Sequence, residues 1–367
     1  MKILCHKNEL LKSINIVIKA VPAKTTMDIL QCILIDATMG NIKFTANDME
    51  LGIETIVTGT ILEPGMIALD ARLFSEMIRK LPENDVIISS GDDFVTVITC
   101  EKAKFTIVGK DGTDFVTLPY MEREESITLS QFTLKEIIRQ TIFSIAANES
   151  NKIMTGELFE ISGNRLNVYS LDGHRISIRK VELAGTYEPV NVIIPGKTLN
   201  EIARILSGEA DQTVTIYFGE NQVLFSFDDT IVLSRLIDGK YFNVNQMLSH
   251  DYETKVTVNK KDFLECIDRS TLMVKENDKK PIIFDIQENN MNLMIRSQLG
   301  TMSEDLDIVL EGKDIRIGFN PRFIMDALRV IDDEEVTIYF MNSKAPCIFR
   351  NAQESYIYLI LPVNFIS

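Results

Sequence analysis

The pentapeptide VTIYF occurs twice in this 367-residue chain, at Val214–Phe218 and at Val336–Phe340. These residue types favour any strand, so the match alone is weak. However, each copy follows a helix-like segment that opens with a proline-containing turn, at residues 193–206 and 318–331. A third such segment, residues 68–81, precedes the strand-like run VIIS. This threefold repeat constrains the fold more than any other feature, because each copy must build the same unit.

A second series of helical patterns lies half a repeat earlier, in residues 7–21, 133–146 and 260–274. Each is followed by two strand-like runs separated by MGN, SGN or ENN, which suit hairpin turns. The predicted fold class is α+β: three tandem copies of one domain, each with two helices packed on antiparallel sheets. The predicted domains are residues 1–122, 123–250 and 251–367.

Basic residues fix the register of the repeat at intervals of 125 residues: Arg72, Lys197 and Arg322 form one series, and Arg79, Arg204 and Arg329 form another. Within a copy the two cations are seven residues apart, which returns them to nearly the same helix face. Although the whole chain carries a net charge of −15, the helical residues hold 15 Lys and Arg against 8 Asp and Glu, counted over 7–19, 72–80, 133–145, 197–206, 260–271 and 322–330. A shared polyanionic partner explains this placement better than three solvated faces do. Lys and Arg contacts to phosphate need no base sequence.

Composition and motifs weigh against several classes of protein. No run approaches the roughly 18 apolar residues of a membrane helix, and the N-terminus lacks the pattern of a signal peptide. The five cysteines lack CxxC spacing and are expected to be reduced core thiols. No phosphate loop, HExxH or GxSxG occurs, so no cofactor or metal is expected. The acidic runs GDD and IDDEE could bind Mg²⁺, but they are more typical of loops and helix ends.

The run SLDGHRISI is the one arrangement that suggests catalysis. Asp172 and His174 could form the acid–base pair of a hydrolase. The alternative is a structural turn in which Gly173 supplies an unusual backbone angle. The first copy keeps the aspartate as Asp48 but has Glu50 in place of the histidine, and the third copy has neither. The cluster belongs to the middle copy alone, which indicates that something binds there. An architectural protein without a DNA role is a third hypothesis.

Four stretches together resemble the bacterial β sliding clamp family, the processivity subunit of the replicative DNA polymerase: TANDMELGI, SLDGHRISI, IIPGKTLNEI and YIYLILPVNF. The resemblance covers the whole chain. It implies a non-catalytic, cytoplasmic, nucleoid-associated homodimer, closed head to tail into a pseudo-sixfold ring around double-stranded DNA, with helices lining the hole. Weak phosphate contacts would then let the ring slide. The resemblance implies contacts at Lys24, Arg72, Asn148 and Lys152, to which the repeat adds Arg79, Lys197, Arg204, Arg322 and Arg329.

The resemblance also implies a groove between the second and third domains that docks short peptides. The partners would be the replicative polymerase, the clamp loader, repair polymerases, and ligase or mismatch-repair proteins. Apolar side chains would hold Leu and Phe anchors, and Met would adapt to varied partners. Phe242 stands where the family often has Pro, and Asn364 where it often has Arg, which could alter peptide preference. The matching positions are Met154, Leu171, Gly173, His174, Arg175, Ile176, Phe242, Met247, Leu359, Ile360, Leu361, Pro362 and Val363.

The dimer interface is expected at FTIV, the edge strand of the first domain, with Phe105 and Ile107 as contacts. Leu272 and Met273 of the third domain are expected to meet them.

Overall fold

The computed structural model describes residues 1–147, 151–248, 250–274 and 280–365, and the two predicted series of helices are confirmed within them. In chain order these helices are α1 (Lys7–Val17), α2 (Ala71–Lys80), α3 (Gln131–Thr141), α4 (Gly196–Ile205), α5 (Lys260–Thr271) and α6 (Pro321–Val330). Polar side chains start them. The Asp70 carboxylate accepts the Leu73 N–H at 2.8 Å before α2, and the Asn320 side chain accepts the Arg322 N–H at 3.0 Å before α6.

Strands make up most of the remaining structure. Those of the first copy are β1 (Lys2–His6), β2 (Cys32–Asp36), β3 (Ile42–Asn47), β4 (Leu51–Val57), β5 (Thr60–Glu63), β6 (Met66–Asp70), β7 (Asp85–Ser90), β8 (Val95–Cys100), β9 (Ala103–Val108) and β10 (Lys110–Asp111). Those of the second copy are β11 (Glu125–Ser130), β12 (Gly156–Leu171), β13 (Arg175–Pro195), β14 (Thr213–Phe218), β15 (Gln222–Phe227) and β16 (Thr230–Arg235). Those of the third copy are β17 (Thr254–Asn259), β18 (Ile282–Gln287), β19 (Asn290–Arg296), β20 (Thr301–Gly312), β21 (Ile315–Phe319), β22 (Glu335–Phe340), β23 (Cys347–Arg350) and β24 (Tyr356–Ile360).

Each copy arranges these strands in the same frame. The strand that enters the first helix pairs antiparallel with the strand that follows the second helix: β1 with β7, β11 with β14, and β17 with β22. Both VTIYF runs lie in strands of this kind. Ile216 of β14 faces Ile127, as Ile338 of β22 faces Val256. The repeated pentapeptide is therefore one strand used at the same place in two copies.

The chain forms two compact units, and the boundary between them passes through the second copy. One unit comprises Met1–Leu134 and Glu201–Leu236, and the other comprises Lys135–Asn200 and Ile237–Ser367. The first unit holds the sheets β5-β1-β7-β8-β9 and β10-β6-β2-β3-β4-β16-β15-β14-β11. The second unit holds the sheet β12-β13-β24-β23-β22-β17-β20-β19-β18-β21. The second copy is divided because β16 pairs with β4 of the first copy, whereas β13 pairs with β24 of the third.

Strand β12 contains the predicted SGN turn. Asn167 and the Tyr169 hydroxyl both donate to the Glu160 carboxylate, at 3.2 and 2.9 Å. A straight strand would place residues seven positions apart roughly 23 Å from each other. The chain therefore doubles back between them, at Gly163, which has a φ of +60° and lies where the pairing with β13 changes register.

The interior of the third copy is rich in aromatic rings. Phe284 packs edge-on against Phe263 and Phe319, with ring centroids 5.8 and 5.3 Å apart. All five cysteines are buried and free, as predicted, and burial raises the pKa of the Cys5 thiol to about 12. None of the helices in the described ranges has both the length and the apolar character needed to cross a membrane.

Candidate functional site

The cations predicted to contact DNA lie on exposed surfaces. Lys24, Lys152 and the six repeated helix positions are all exposed, and Asn148 lies outside the described residues. Three of the arginines form ion pairs with nearby acids: Arg79 with Glu76 at 3.0 Å, Arg204 with Glu201 at 2.8 Å, and Arg329 with Asp268 at 3.9 Å. The Arg79 and Arg329 pairs are exposed on both sides and are worth little. Arg204 is itself 63% exposed beside a largely buried Glu201, so all three guanidinium groups remain accessible to a polyanion.

An apolar cluster lies where β12, β13 and β24 meet the segment that follows β16. We call it the junction cluster. Its buried members are Tyr169, Leu171, Ile176, Ile178, Ile193, Ile237, Tyr241, Val244, Ile348, Ile357 and Leu359. Met154 packs against it, half-buried, and Phe242 stands edge-on to Tyr241 with ring centroids 6.1 Å apart. Phe242 and Met247 are 39% and 54% exposed, so large apolar side chains beside the cluster remain open to solvent.

The C-terminal tail runs beside this cluster. The Leu361 N–H donates to the His174 carbonyl at 2.9 Å, and the Val363 N–H donates to the Gly318 carbonyl at 2.8 Å. A side chain at Gly318 would collide with Phe365, since a Cβ there would lie 2.7 Å from the ring. The half-buried Pro362 lies between the two hydrogen bonds. The tail is thus held by backbone contacts on both sides of the proline.

The Asp172 turn shapes the rim of the same region. One Asp172 carboxylate oxygen accepts the backbone N–H groups of His174 and Arg175 at 2.9 and 3.1 Å. Gly173 has a φ of +87°, the left-handed conformation that glycine adopts at little cost. The His174 ring does not bond to the carboxylate; it stacks on Phe323, with centroids 6.2 Å apart. The acid–base pair suggested by the sequence is therefore not formed, and the structural turn is what the chain builds.

The structure separates one predicted groove residue from the others. Ile360 is fully buried in the core of the third copy, whereas its neighbour Leu359 belongs to the junction cluster. Side chains alternate between the two faces of a strand, so the Leu359 and Ile360 side chains lie on opposite faces of β24.

Sequence reasoning missed two contributors to this site. Phe323 of α6 contacts the His174 ring, and the Tyr241 hydroxyl donates to the Tyr169 carbonyl at 3.3 Å. Burial raises the pKa of Tyr241, so the phenol keeps the proton that it donates. Tyr241 could have been found beside Phe242 in the same run. No pattern distinguishes Phe323 from a core residue of an amphipathic helix.

The acidic runs are structural in this fold. The Asp93 carboxylate accepts the Val95 N–H at 3.2 Å, and Asp332 pairs with Arg139 at 2.7 Å. Nowhere in the described part of the chain do three His, Cys, Asp or Glu side chains gather as a metal site would require.

Strand β9 lies at one end of the five-stranded sheet, and β8 is its partner there. Phe105 and Ile107 are half-buried on one face of β9, whereas the alternate residues are exposed. Leu272, directly after α5, is 73% exposed, and Met273 is half-buried. Each is an apolar side chain on a surface that could meet another chain.

Comparison with known proteins gives one consistent family. Models of the DNA polymerase III beta subunit match in succession: its N-terminal domain at residues 1–119, its central domain at 128–243 and its C-terminal domain at 245–364. A Beta sliding clamp from Staphylococcus aureus is 33% identical over 375 residues, covering 99% of both chains. The structure of a putative DNA polymerase III beta subunit from Eubacterium rectale is 62% identical, with a TM-score of 0.97 over 100% of both chains. The DNA polymerase sliding clamp from Bacillus subtilis is 32% identical, with a TM-score of 0.96 and the same coverage.

Three tandem domains with paired helices on antiparallel sheets, together with these matches, define a DNA sliding clamp, a non-catalytic processivity factor of DNA replication. The chain belongs to the DNA polymerase III beta subunit family, because the three models cover nearly its whole length. The fold class and the role in replication predicted from the sequence are confirmed, and the hydrolase alternative has no support.

Proposed function

We propose that two copies of this chain close head to tail into a ring around duplex DNA, and that the junction cluster docks peptides of replication proteins. The observation that carries the ring is a pair of strand edges. Within the chain, β16 pairs with β4 and β24 pairs with β13. By their place in the repeat, β9 corresponds to β16 and β24, and the first half of β20 corresponds to β4 and to the start of β13. Among the described residues, neither β9 nor the first half of β20 pairs with a strand of another copy.

The repeat also gives the register of the proposed interface. Phe105 occupies the repeat position of Tyr358, and Met302 occupies that of Ser177. Because Tyr358 pairs with Ser177 within the chain, Phe105 should face Met302 of the partner subunit. Two identical contacts of this kind close a ring and leave no sheet edge at the joint.

Disulfide trapping tests this register. A variant with Phe105→Cys and Met302→Cys should oxidise to a covalent species of twice 41.6 kDa, measured by light scattering under denaturing conditions. Each single variant is the control and should remain at the mass of one chain. Failure of the double variant to cross-link, together with a monomeric mass at every protein concentration, would overturn the ring.

The exposed cations of α2, α4 and α6 support duplex DNA as the threaded partner. Their contacts would be to phosphates, without base reading, and topology rather than affinity would retain the ring. The ring would work in the cytoplasm, associated with the nucleoid and without membrane attachment.

The exposed apolar side chains beside the junction cluster support the docking role. The expected ligands are short segments with adjacent Leu and Phe, carried by the replicative polymerase, the clamp loader, repair polymerases, and ligase or mismatch-repair proteins. Peptide segments of this kind bind by seating apolar anchors in preformed pockets.

Fluorescence anisotropy with a labelled Leu-Phe decapeptide tests this role. Met247→Ser should weaken binding by about tenfold, or ~1.4 kcal/mol. Met39→Ser is the matched control, because Met39 is 82% exposed in the turn between β2 and β3. Removal of residues 362–367 should also abolish binding, since it deletes part of the tail. Equal affinity in all variants would refute docking at this cluster.

A further inference from the structure

We propose that Arg175 is a positioning residue of the docking groove: it holds the Asp172 turn against helix α6 and does not itself contact the bound peptide. This inference rests on the proposed docking function and assigns a role to one residue of that site. Its alternative is that the guanidinium binds an acidic group of the peptide.

The hydrogen bonds of Arg175 are already directed inward. Its Nε donates to Asp172 at 3.0 Å, Nη1 donates to Asp326 at 2.6 Å, and Nη2 donates to the Phe143 carbonyl at 2.5 Å. All three nitrogens therefore have acceptors within the protein, and the side chain is only 9% exposed. A peptide carboxylate would have to displace one of these bonds and reach a buried group.

Aromatic rings enclose the same guanidinium. Its Cζ atom lies 4.3 Å from the centre of the Phe323 ring and 5.4 Å from that of Phe143. Cation–π contacts of this kind are strongest when they are shielded from water. Phe323 also stacks on the His174 ring, so a shift of Arg175 would move the histidine that forms the exposed rim.

These contacts connect three parts of the second compact unit. Asp326 lies on α6, Phe143 follows α3, and Asp172 begins the turn before β13. The tail joins the same assembly, because the Leu361 N–H donates to the His174 carbonyl. One side chain thus fixes the turn and, through it, the tail that lies beside the junction cluster.

The repeat shows that this cation is specific to one site. In each copy the residue that begins the turn donates its N–H to the carbonyl three residues later: Asp48 to Leu51, Asp172 to Arg175, and Ser297 to Gly300. The position of Arg175 therefore carries Leu51 in the first copy and Gly300 in the third. Only the second copy, whose turn lies beside the proposed groove, places a cation there.

Two substitutions separate positioning from direct contact. Arg175→Gln removes the cation, and Asp326→Asn weakens its bond to α6 without altering a residue that lines the groove. Two labelled Leu-Phe decapeptides serve as probes, one with an acidic residue beside the anchors and one with its amide. If Arg175 positions the turn, each variant should weaken the binding of both peptides by the same factor, about tenfold. The reason is that a smaller fraction of the protein is in the binding-competent arrangement.

A second readout needs no peptide. The Leu361 amide should exchange with solvent faster in both variants, since its acceptor lies on the turn that Arg175 holds. Arg139→Gln is the matched control, because Arg139 also pairs with an aspartate of the third copy, Asp332, at 2.7 Å. It should leave the peptide affinity and the Leu361 exchange rate unchanged.

Three results would overturn the proposal. If Arg175→Gln weakened binding of the acidic peptide alone, and Asp326→Asn strengthened binding of that peptide, Arg175 would contact the peptide directly. Wild-type affinity and exchange in both variants would exclude positioning, even if their melting temperatures fell. Equal losses of peptide affinity and of Leu361 protection in Arg139→Gln would show that breaking any ion pair between the second and third copies has this effect. If the wild-type protein binds neither peptide, the docking role itself fails, and the Leu361 exchange rate alone decides whether Arg175 fixes the turn.

Discussion

At the residue scale, Glu157 places a carboxyl group where the other copies place isoleucine. Glu157 pairs with Ile194, as Ile33 pairs with Leu69 and Ile282 with Phe319 at the same repeat positions. Glu157, Ile33 and Ile282 are all fully buried. Neither carboxyl oxygen of Glu157 has a hydrogen-bond partner of good geometry in the described structure. Burial therefore raises the pKa of Glu157 well above its ordinary value.

This burial predicts how stability depends on pH. Below pH 4.5, the ordinary value, both the folded and the unfolded chain hold the proton. Above it the unfolded chain releases the proton first, so the free energy of unfolding falls by up to about 1.4 kcal/mol per pH unit until the folded-state pKa is reached. Glu157→Gln should remove this slope. Glu157→Ile should remove it as well and should raise the free energy of unfolding by about 2 kcal/mol at pH 7.

Thermal unfolding from pH 5 to pH 8 measures this prediction. The difference in melting temperature between the wild type and either variant should widen as the pH rises. Parallel curves for the three proteins would mean that Glu157 is ionised in the folded state, with a partner outside the described residues.

At the scale of single elements, the position of β9 leads to a second prediction, which concerns dimer formation. Ile107 is half-buried on the face of β9 that carries Phe105, and Leu272 is largely exposed after α5. A charge at either position would be desolvated in the proposed interface, at a cost of several kcal/mol. Ile107→Lys and Leu272→Asp should therefore both yield monomers in size exclusion with light scattering.

The outward face of β9 provides the control. Thr106→Lys adds the same charge to the same strand on the alternate, exposed face, and should remain dimeric. A dimer in the Ile107 and Leu272 variants would place the interface elsewhere.

The elements also show what the sequence alone could determine. Helices and strands were predictable because apolar spacing recurs in three copies, and agreement among copies removes chance matches. The site was predictable only as a set of positions. Whether Ile360 faces the groove or the core, and whether Arg175 faces solvent or Asp326, depends on strand alternation and on contacts more than 150 residues away along the chain. No local pattern contains that information.

At the scale of the whole molecule, an acidic chain is expected to hold DNA through its basic helices. Replacing Arg72, Lys197 and Arg322 with Ala removes one cation from each copy and leaves the proposed interface and groove intact. Binding to a short linear duplex should weaken, and the slope of log K against log salt should become shallower by about 0.9 for each phosphate that the protein no longer neutralises.

The matched control removes the same charge elsewhere. Lys102, Lys240 and Lys344 are exposed and lie outside the helices. Their triple Ala variant should keep the salt slope of the wild type. Equal weakening in both triple variants would show that net charge alone governs binding, and that the helices make no special contribution.

Ring closure predicts that binding depends on whether the DNA has free ends, which binding affinity alone would not produce. The oxidised Phe105→Cys, Met302→Cys dimer should thread onto linear duplex DNA by its ends but should be excluded from a covalently closed circle of the same sequence. Co-sedimentation of the two DNA forms with the oxidised protein measures this difference. The same protein after reduction is the control, because its ring can open again and thereby reach the circle. Equal retention on both forms by the oxidised dimer would mean that the chain binds DNA from the side, and that direct binding rather than encirclement holds it there.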